Sequence, residues 1–189
     1  MRNARPGTGC VDPLDGTREF VQRNGEFTVN IALVHNHRPV LGVVHAPVLE
    51  RDYYAGEGIG AFRSDVAAVG RPIRVVPRGP GPVRVVGSRS HRGSSLDGFL
   101  ARVGPHEFVE VGSSLKMCLV AEGLADVYPR LGPTCEWDTA AGQCVAEQAG
   151  AHVLRLDGEP LDYNKGDEVL NPHFIAYADA GTDWLALLR

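Results

Sequence analysis

The pattern of apolar residues changes at about Val83, and this change constrains the fold more than any other feature. Before it, short runs with a period of two alternate with turns rich in Gly, Pro and Asn. A period of two is typical of β-strands, so residues 1–82 are predicted to form hairpins in a largely antiparallel sheet. Within it, the odd-numbered apolar residues from Phe27 to Leu33 are expected to form a buried strand face.

From Val83 onward, strand-like runs alternate with helical spacing. Helices are predicted near residues 94–104, 113–123 and 137–149, with short strands between them. This alternation indicates an α/β layered architecture. The 189 residues and the 43% apolar fraction are those of one globular domain, so residues 1–82 and 83–189 are expected to be two halves of one domain.

Composition argues against several classes of protein. The 19 basic and 23 acidic residues give a net charge of −4, whereas a sequence-independent binder of nucleic-acid polymers needs a basic surface. The sequence contains no run of about 18 uncharged apolar residues, so no membrane span is predicted. The four cysteines have neither a CxxC pair nor zinc-type spacing, which favours reduced thiols in a cytoplasmic protein.

The first motif with chemical meaning is Asp12-Pro13-Leu14-Asp15-Gly16-Thr17. It places two carboxylates three residues apart across a predicted turn. Such a turn can aim Asp12, Asp15 and the Leu14 carbonyl at one point, which provides the oxygen ligands that Mg²⁺ prefers. The alternative is an ordinary surface turn, because Pro, Asp and Gly are common turn residues.

The second motif, Glu136-Trp137-Asp138-Thr139-Ala140-Ala141-Gly142, lies where a helical pattern begins. Asp138 is either a helix cap, worth about 1 kcal/mol, or a third metal carboxylate. A helix N-terminus also suits a phosphate held beside a metal. Trp137 is predicted to pack in the core.

A third group of residues can bind an anion. Ser113 and Lys116 lie at a predicted helix start, where backbone amides and an ammonium group can converge on a phosphate. The alternative is a capping serine with a solvated lysine. Arg130 and His91 add donors, although a lone histidine after a strand is often structural. Lys116 and Arg130 favour a substrate with a second phosphate, which needs cations, over one whose hydroxyls need carboxylate or amide acceptors.

With DPLDGT followed by WDTAAG, the chain resembles the inositol monophosphatase superfamily of Mg²⁺-dependent phosphatases, from Val11 to about Ile175. Segments such as GEFTVNIALV, GSRSH, GSSLK and YPRLGPT are similar to those of bacterial 3′(2′),5′-bisphosphate nucleotidases. The resemblance implies a layered α-β-α-β-α sugar-phosphatase-like sandwich with mixed sheets. It also implies removal of the 3′-phosphate of 3′-phosphoadenosine 5′-phosphate, giving AMP and phosphate.

The resemblance also implies roles for individual residues. Two or more Mg²⁺ ions would be held by carboxylates and the Leu14 carbonyl, Thr17 would orient the attacking water, and Gly16 and Thr17 would contact the scissile phosphate. His91 matches a histidine on the adenosine side. The metal ligands would be Asp12, Leu14, Asp15 and Asp138, and the substrate site would comprise Leu14, Asp15, Gly16, Thr17, His91, Ser113, Lys116, Arg130 and Asp138. The partner would be a small phosphorylated nucleotide, and the protein would be cytoplasmic. Members of the superfamily are often dimers, so a homodimer is also implied.

Full-length members of this superfamily carry N-terminal helices, a Glu-Glu motif and an Asp paired with the motif threonine. Only eleven residues precede Asp12 here, and none of them is acidic. We therefore expect a truncated member that lacks the N-terminal helices. The alternatives are an inactive member that binds only nucleotide or phosphate, and an inositol or sugar phosphate monophosphatase.

Overall fold

Six strands in chain order form the first of two β-sheets in the computed structural model, which describes residues 7–65, 69–89 and 93–188. Every neighbouring pair in this sheet is antiparallel, as the period-two runs predict. A short helix, α1 (Thr17–Gln22), separates the first two strands. The strands are β1 (Gly7–Asp15), β2 (Thr28–His35), β3 (Arg38–Ala46), β4 (Arg51–Gly56), β5 (Gly60–Asp65) and β6 (Arg71–Ile73).

The second sheet has five strands in the order β10-β11-β9-β7-β8. It is mixed, because β7 runs parallel to β8 and β9 while the remaining pairs are antiparallel. The α/β prediction is therefore confirmed, with one antiparallel and one mixed sheet. The strands are β7 (Val83–Ser88), β8 (His106–Val111), β9 (Val127–Arg130), β10 (His152–Arg155) and β11 (Phe174–Tyr177).

Three further α-helices belong to this second half: α2 (Ser94–Val103), α3 (Leu115–Ala121) and α4 (Glu136–Gln148), followed by a 3₁₀ turn at Ala186–Leu188. Of the helices in the described part of the chain, none is long and apolar enough to cross a membrane. The main core joins α3 and α4 to both sheets. Small residues such as Ala140 and Ala141 let α4 approach the six-stranded sheet closely, at Gly42 on β3.

The predicted buried face of β2 is wrong. Its buried residues are Thr28, Asn30, Ala32 and Val34, whereas Ile31 and Leu33 are 45% and 44% exposed. Both faces of β2 carry apolar side chains, so its period identifies a strand without showing which face is covered. α4 packs on the face with the smaller and polar residues, and the larger branched residues point the other way.

Candidate active site

A β-bulge brings the first two carboxylates to the same side of the sheet. Asp12 pairs with Asn30 and Asp15 pairs with Thr28, so three steps along β1 match two steps along β2. In a regular strand, residues three apart point to opposite faces, and one extra residue reverses this. The Leu14 N–H donates to Asp12 Oδ1 at 3.0 Å, which holds the bulge in a local turn.

The turn continues into α1 through Gly16. This residue has a φ of +83°, a conformation that is strained for any residue with a side chain. A Cβ there would also lie 3.2 Å from both Glu19 Oε2 and Ser113 Cβ. A glycine is therefore needed for the chain to turn at this point and begin α1 at Thr17.

Asp138 is the third residue of α4, and its Oδ2 accepts the N–H of Cys135 at 2.7 Å. The helix-capping interpretation is thus confirmed. This bond uses one carboxylate oxygen and leaves the other available to a ligand. Trp137, the preceding residue, is 38% exposed, so its predicted place in the core is wrong. Trp137 therefore lies at the surface, although its neighbours Glu136 and Thr139 in the first turn of α4 are buried.

The three carboxylates of Asp12, Asp15 and Asp138 form one cluster, in which one ligand atom from each lies within 4.8 Å of the others. Burial, with nearby Asp138 and Asp12, raises the pKa of Asp15 to about 6. Burial and the Asp12 carboxylate also raise the pKa of Asp138. Three partly buried carboxylates repel one another, and an all-oxygen set of this kind fits a hard divalent cation. The cluster can therefore hold a metal ion.

A cavity of about 390 Å³ lies beside this cluster. Its volume is within the range of small-molecule sites. Predicted site residues that line it are Asp15, Gly16, Thr17, Ser113, Lys116, Arg130 and Asp138. Asp12 belongs to the carboxylate cluster and Leu14 lies within the bulge. His91 lies outside the described residues.

Lys116 is buried, with 6% exposure, so the alternative of a solvated lysine is wrong. Its Nζ donates to the carbonyl oxygens of Ser113 and Val111 and lies 5.7 Å from the centre of the Tyr128 ring. Burial lowers the pKa of Lys116 to about 8, although Asp15 opposes this shift. A buried cation thus lines the same cavity as the carboxylates.

Two buried polar atoms at the cavity have no hydrogen-bond partner within the described ranges: Ser113 Oγ and Arg130 Nε. Ser113 also has a φ of +50°, which is uncommon for a residue with a side chain. Arg130 is held by a 2.7 Å bond from Nη2 to the Pro133 carbonyl. Buried polar atoms are usually satisfied, so these two are available to a polar ligand.

Sequence reasoning missed other residues at the site. Arg18, Tyr128 and Thr134 also line the cavity. Thr28 and Asn30 lie beneath it and contact Asp15. These two are the polar positions on a strand face that is otherwise apolar, and this pattern is the signal that could have revealed them.

The family model for the inositol monophosphatase family matches residues 4–182. The chain belongs to the inositol monophosphatase family. Within this family, a 3′(2′),5′-bisphosphate nucleotidase CysQ of Salmonella typhimurium is 54% identical over 164 residues, which cover 87% of the chain. A CysQ of Haemophilus influenzae is 38% identical over 180 residues, covering 95% of this chain and 67% of that protein.

Solved structures of the family have the same fold. The crystal structure of CysQ from Bacteroides thetaiotaomicron superposes with a TM-score of 0.86 at 43% identity and covers 94% of this chain and 72% of its own. An inositol monophosphatase from Zymomonas mobilis, at 21% identity, shares the fold with a TM-score of 0.82, covering 99% of this chain and 72% of its own. The chain spans 65% of the length of its Salmonella relative.

Proposed function

We propose that this chain carries the catalytic site of a metal-dependent phosphatase that removes the 3′-phosphate of 3′-phosphoadenosine 5′-phosphate, giving AMP and phosphate. One observation carries the proposal: carboxylates and the buried cation Lys116 line the same cavity. A substrate with two phosphates would use the carboxylate side, through a metal, for one phosphate and cations for the other. The names of the CysQ relatives support this substrate class.

The metal part of the proposal is a site for two or more Mg²⁺ ions. Asp12, Asp15 and Asp138 would supply carboxylate ligands, and Leu14 its backbone carbonyl. When bound, such ions lower the pKa of a bound water and stabilise the charge on the phosphoryl and leaving oxygens. The mutual repulsion of the three carboxylates supports this, because a divalent cation would relieve it.

The remaining roles belong to uncharged and cationic groups. Gly16 and Thr17 line the cavity at the start of α1, where we propose that they contact the scissile phosphate and that the Thr17 hydroxyl orients the attacking water. Ser113, Lys116 and Arg130 would hold the substrate. Two of the atoms in this group, Ser113 Oγ and Arg130 Nε, are buried donors that have no hydrogen-bond partner in the described part of the chain. His91 stays a prediction for the adenosine side.

Two other functions compete with this one: hydrolysis of an inositol or sugar phosphate, and binding of nucleotide or phosphate without catalysis. The cations favour the nucleotide, because sugar hydroxyls need carboxylate or amide acceptors rather than cations. The experiment is a phosphate-release assay with Mg²⁺, in which 3′-phosphoadenosine 5′-phosphate and inositol 1-phosphate are compared.

We expect phosphate to be released from 3′-phosphoadenosine 5′-phosphate, and the substitution Asp12→Asn should abolish this release. Asp52→Asn is the matched control, because Asp52 pairs with His45 at 2.6 Å on the exposed face of the six-stranded sheet. Release mainly from inositol 1-phosphate would refute the nucleotide assignment. If neither substrate releases phosphate but the nucleotide binds saturably, the non-catalytic alternative is favoured.

The proposal extends to surroundings and partners. Cys10, Cys118, Cys135 and Cys144 are free thiols, which supports a reducing compartment such as the cytoplasm. The partner is a small nucleotide rather than a nucleic-acid polymer. We also propose a homodimer on the likeness to the superfamily, and sedimentation velocity over a range of concentrations tests it.

A further inference from the structure

Three buried polar side chains lie between β2 and the start of α3. Thr28 is 0%, Asn30 is 1% and Ser114 is 6% exposed. They connect the carboxylate of Asp15 to Ser114, the residue that immediately precedes α3. Buried polar groups are costly unless they are bonded, so the arrangement of their protons can be worked out from the donors and acceptors available.

The proton of Ser114 determines the first step. Ser114 Oγ donates to Asn30 Oδ1 at 2.8 Å, and a hydroxyl has one proton to give. The 2.9 Å contact between Thr28 Oγ1 and Ser114 Oγ therefore has Thr28 as its donor. Because that uses the only proton of Thr28, its 3.5 Å contact with Asp15 Oδ2 is left as the weaker alternative.

The amide of Asn30 is fixed at both ends. Its Oδ1 accepts from Ser114, which turns its Nδ2 toward Asp15 Oδ2 at 3.3 Å. A carboxylate only accepts hydrogen bonds, so the reverse orientation of the amide would place two oxygens together. The donors thus run in one direction, from Thr28 through Ser114 and Asn30 to Asp15.

We propose that Asn30 is a positioning residue that orients Asp15 for metal binding, and that Ser114 and Thr28 hold Asn30 in the required orientation. This inference rests on the part of the proposed function in which Asp15 binds a metal. Partners behind a metal ligand fix its orientation, and their loss typically weakens metal affinity by about 10–100-fold. Because α3 also carries Lys116, the same bonds tie the metal side of the cavity to its anion side.

The test measures Mg²⁺ affinity by calorimetry without nucleotide or phosphate, using the full chain. Asn30→Leu removes the amide while keeping the number and branching of the side-chain heavy atoms, and we expect it to weaken Mg²⁺ binding by about 10–100-fold. The matched control is Gln143→Leu. Gln143 is an equally buried amide that bonds Glu147 and Tyr163 instead of the carboxylate cluster. Its Mg²⁺ affinity should stay near that of the unaltered chain.

The hydroxyls provide a second comparison if Asn30→Leu fails to fold. Ser114→Ala and Thr28→Val should each weaken Mg²⁺ binding several-fold, whereas Thr28→Ser, which keeps the donor, should restore it. Unchanged affinity in Asn30→Leu, or in both hydroxyl variants where Asn30→Leu cannot be measured, would overturn the inference. An equal loss in Gln143→Leu would assign the effect to general loosening of the fold.

The inference and the proposed function can fail separately. If the unaltered chain binds Mg²⁺ and Asn30→Leu does not, the inference holds even when no substrate is hydrolysed. If the unaltered chain binds no Mg²⁺, the inference is overturned, because Asp15 would have no ion to be positioned for.

Discussion

Gly42→Ala should destabilise the fold although it adds only a methyl group. Gly42 lies in the middle of β3, directly under α4. A Cβ there would meet the Ala141 carbonyl oxygen at 2.5 Å and Cys144 Cβ at 2.9 Å. Carbon–oxygen contacts normally begin at about 3.3 Å, so α4 or β3 would have to move by roughly 0.8 Å.

The magnitude follows from two opposing effects. Overpacking a well-packed core typically costs about 1–3 kcal/mol. Replacing a strand glycine by alanine returns about 0.5–1 kcal/mol of backbone entropy. Gly9→Ala is the matched control, because Gly9 also lies in the six-stranded sheet and a Cβ there meets nothing within 4 Å. The two variants share the entropy effect, so their difference isolates the overpacking effect of about 1–3 kcal/mol.

Thermal unfolding measures this difference. At about 2–4 °C per kcal/mol for a chain of this size, Gly42→Ala should melt roughly 2–12 °C below Gly9→Ala. The movement of α4 relative to β3 should also weaken Mg²⁺ binding, since α4 carries Asp138. A Gly42→Ala variant that melts at or above Gly9→Ala would refute the close approach of α4 to β3.

Three further predictions concern charge and strain. Because burial lowers the pKa of Lys116 to about 8, its charged form is lost as pH rises through that value. Sulfate binding should therefore weaken over this pH range in the unaltered chain, whereas in Lys116→Met it should be weak at every pH. A binding profile that does not change with pH in either protein would contradict the role of Lys116 in binding anions. Ser113→Gly should stabilise the fold by about 0.5–1 kcal/mol in urea unfolding, because glycine adopts a positive φ without steric strain. The same variant should bind sulfate more weakly. A loss of stability would argue against backbone strain at Ser113. Arg63→Met removes the 2.6 Å ion pair to the buried Glu122 carboxylate and leaves the more exposed Arg71 at 3.8 Å as its cation, so it should cost about 3 kcal/mol. This is more than Tyr53→Phe, which removes a neutral hydroxyl donor to Glu122. Urea midpoints in the reverse order would refute this.

Local features of the site could be predicted from the sequence. The turn at Asp12 to Thr17 and the helix start at Asp138 depend on residues that are close in the chain, so spacing and residue type were enough to suggest them. The antiparallel meander follows from period-two runs joined by short turns for the same reason.

Features that depend on distant contacts could not be predicted. Which face of β2 is buried depends on where α4 packs, and the burial of Lys116 depends on how α3 lies against Tyr128. The bonds from Ser114 to Thr28 and Asn30 join residues 86 and 84 positions apart. Nothing in the local sequence around Ser114 shows that its hydroxyl faces β2 instead of capping its own helix.

The two sheets also differ in the order in which they can assemble. Every strand of the first sheet, which carries Asp12 and Asp15, pairs with its neighbour in the chain, so this sheet can form by successive closures of short loops, of which the longest is the connection through α1 between β1 and β2. The second sheet has the order β10-β11-β9-β7-β8 and needs closure of longer loops before its strands pair. Asp138 joins the other two carboxylates only when α4 docks across the first sheet. Acquisition of Mg²⁺ affinity during refolding should therefore trail hairpin formation and report the docking of α4.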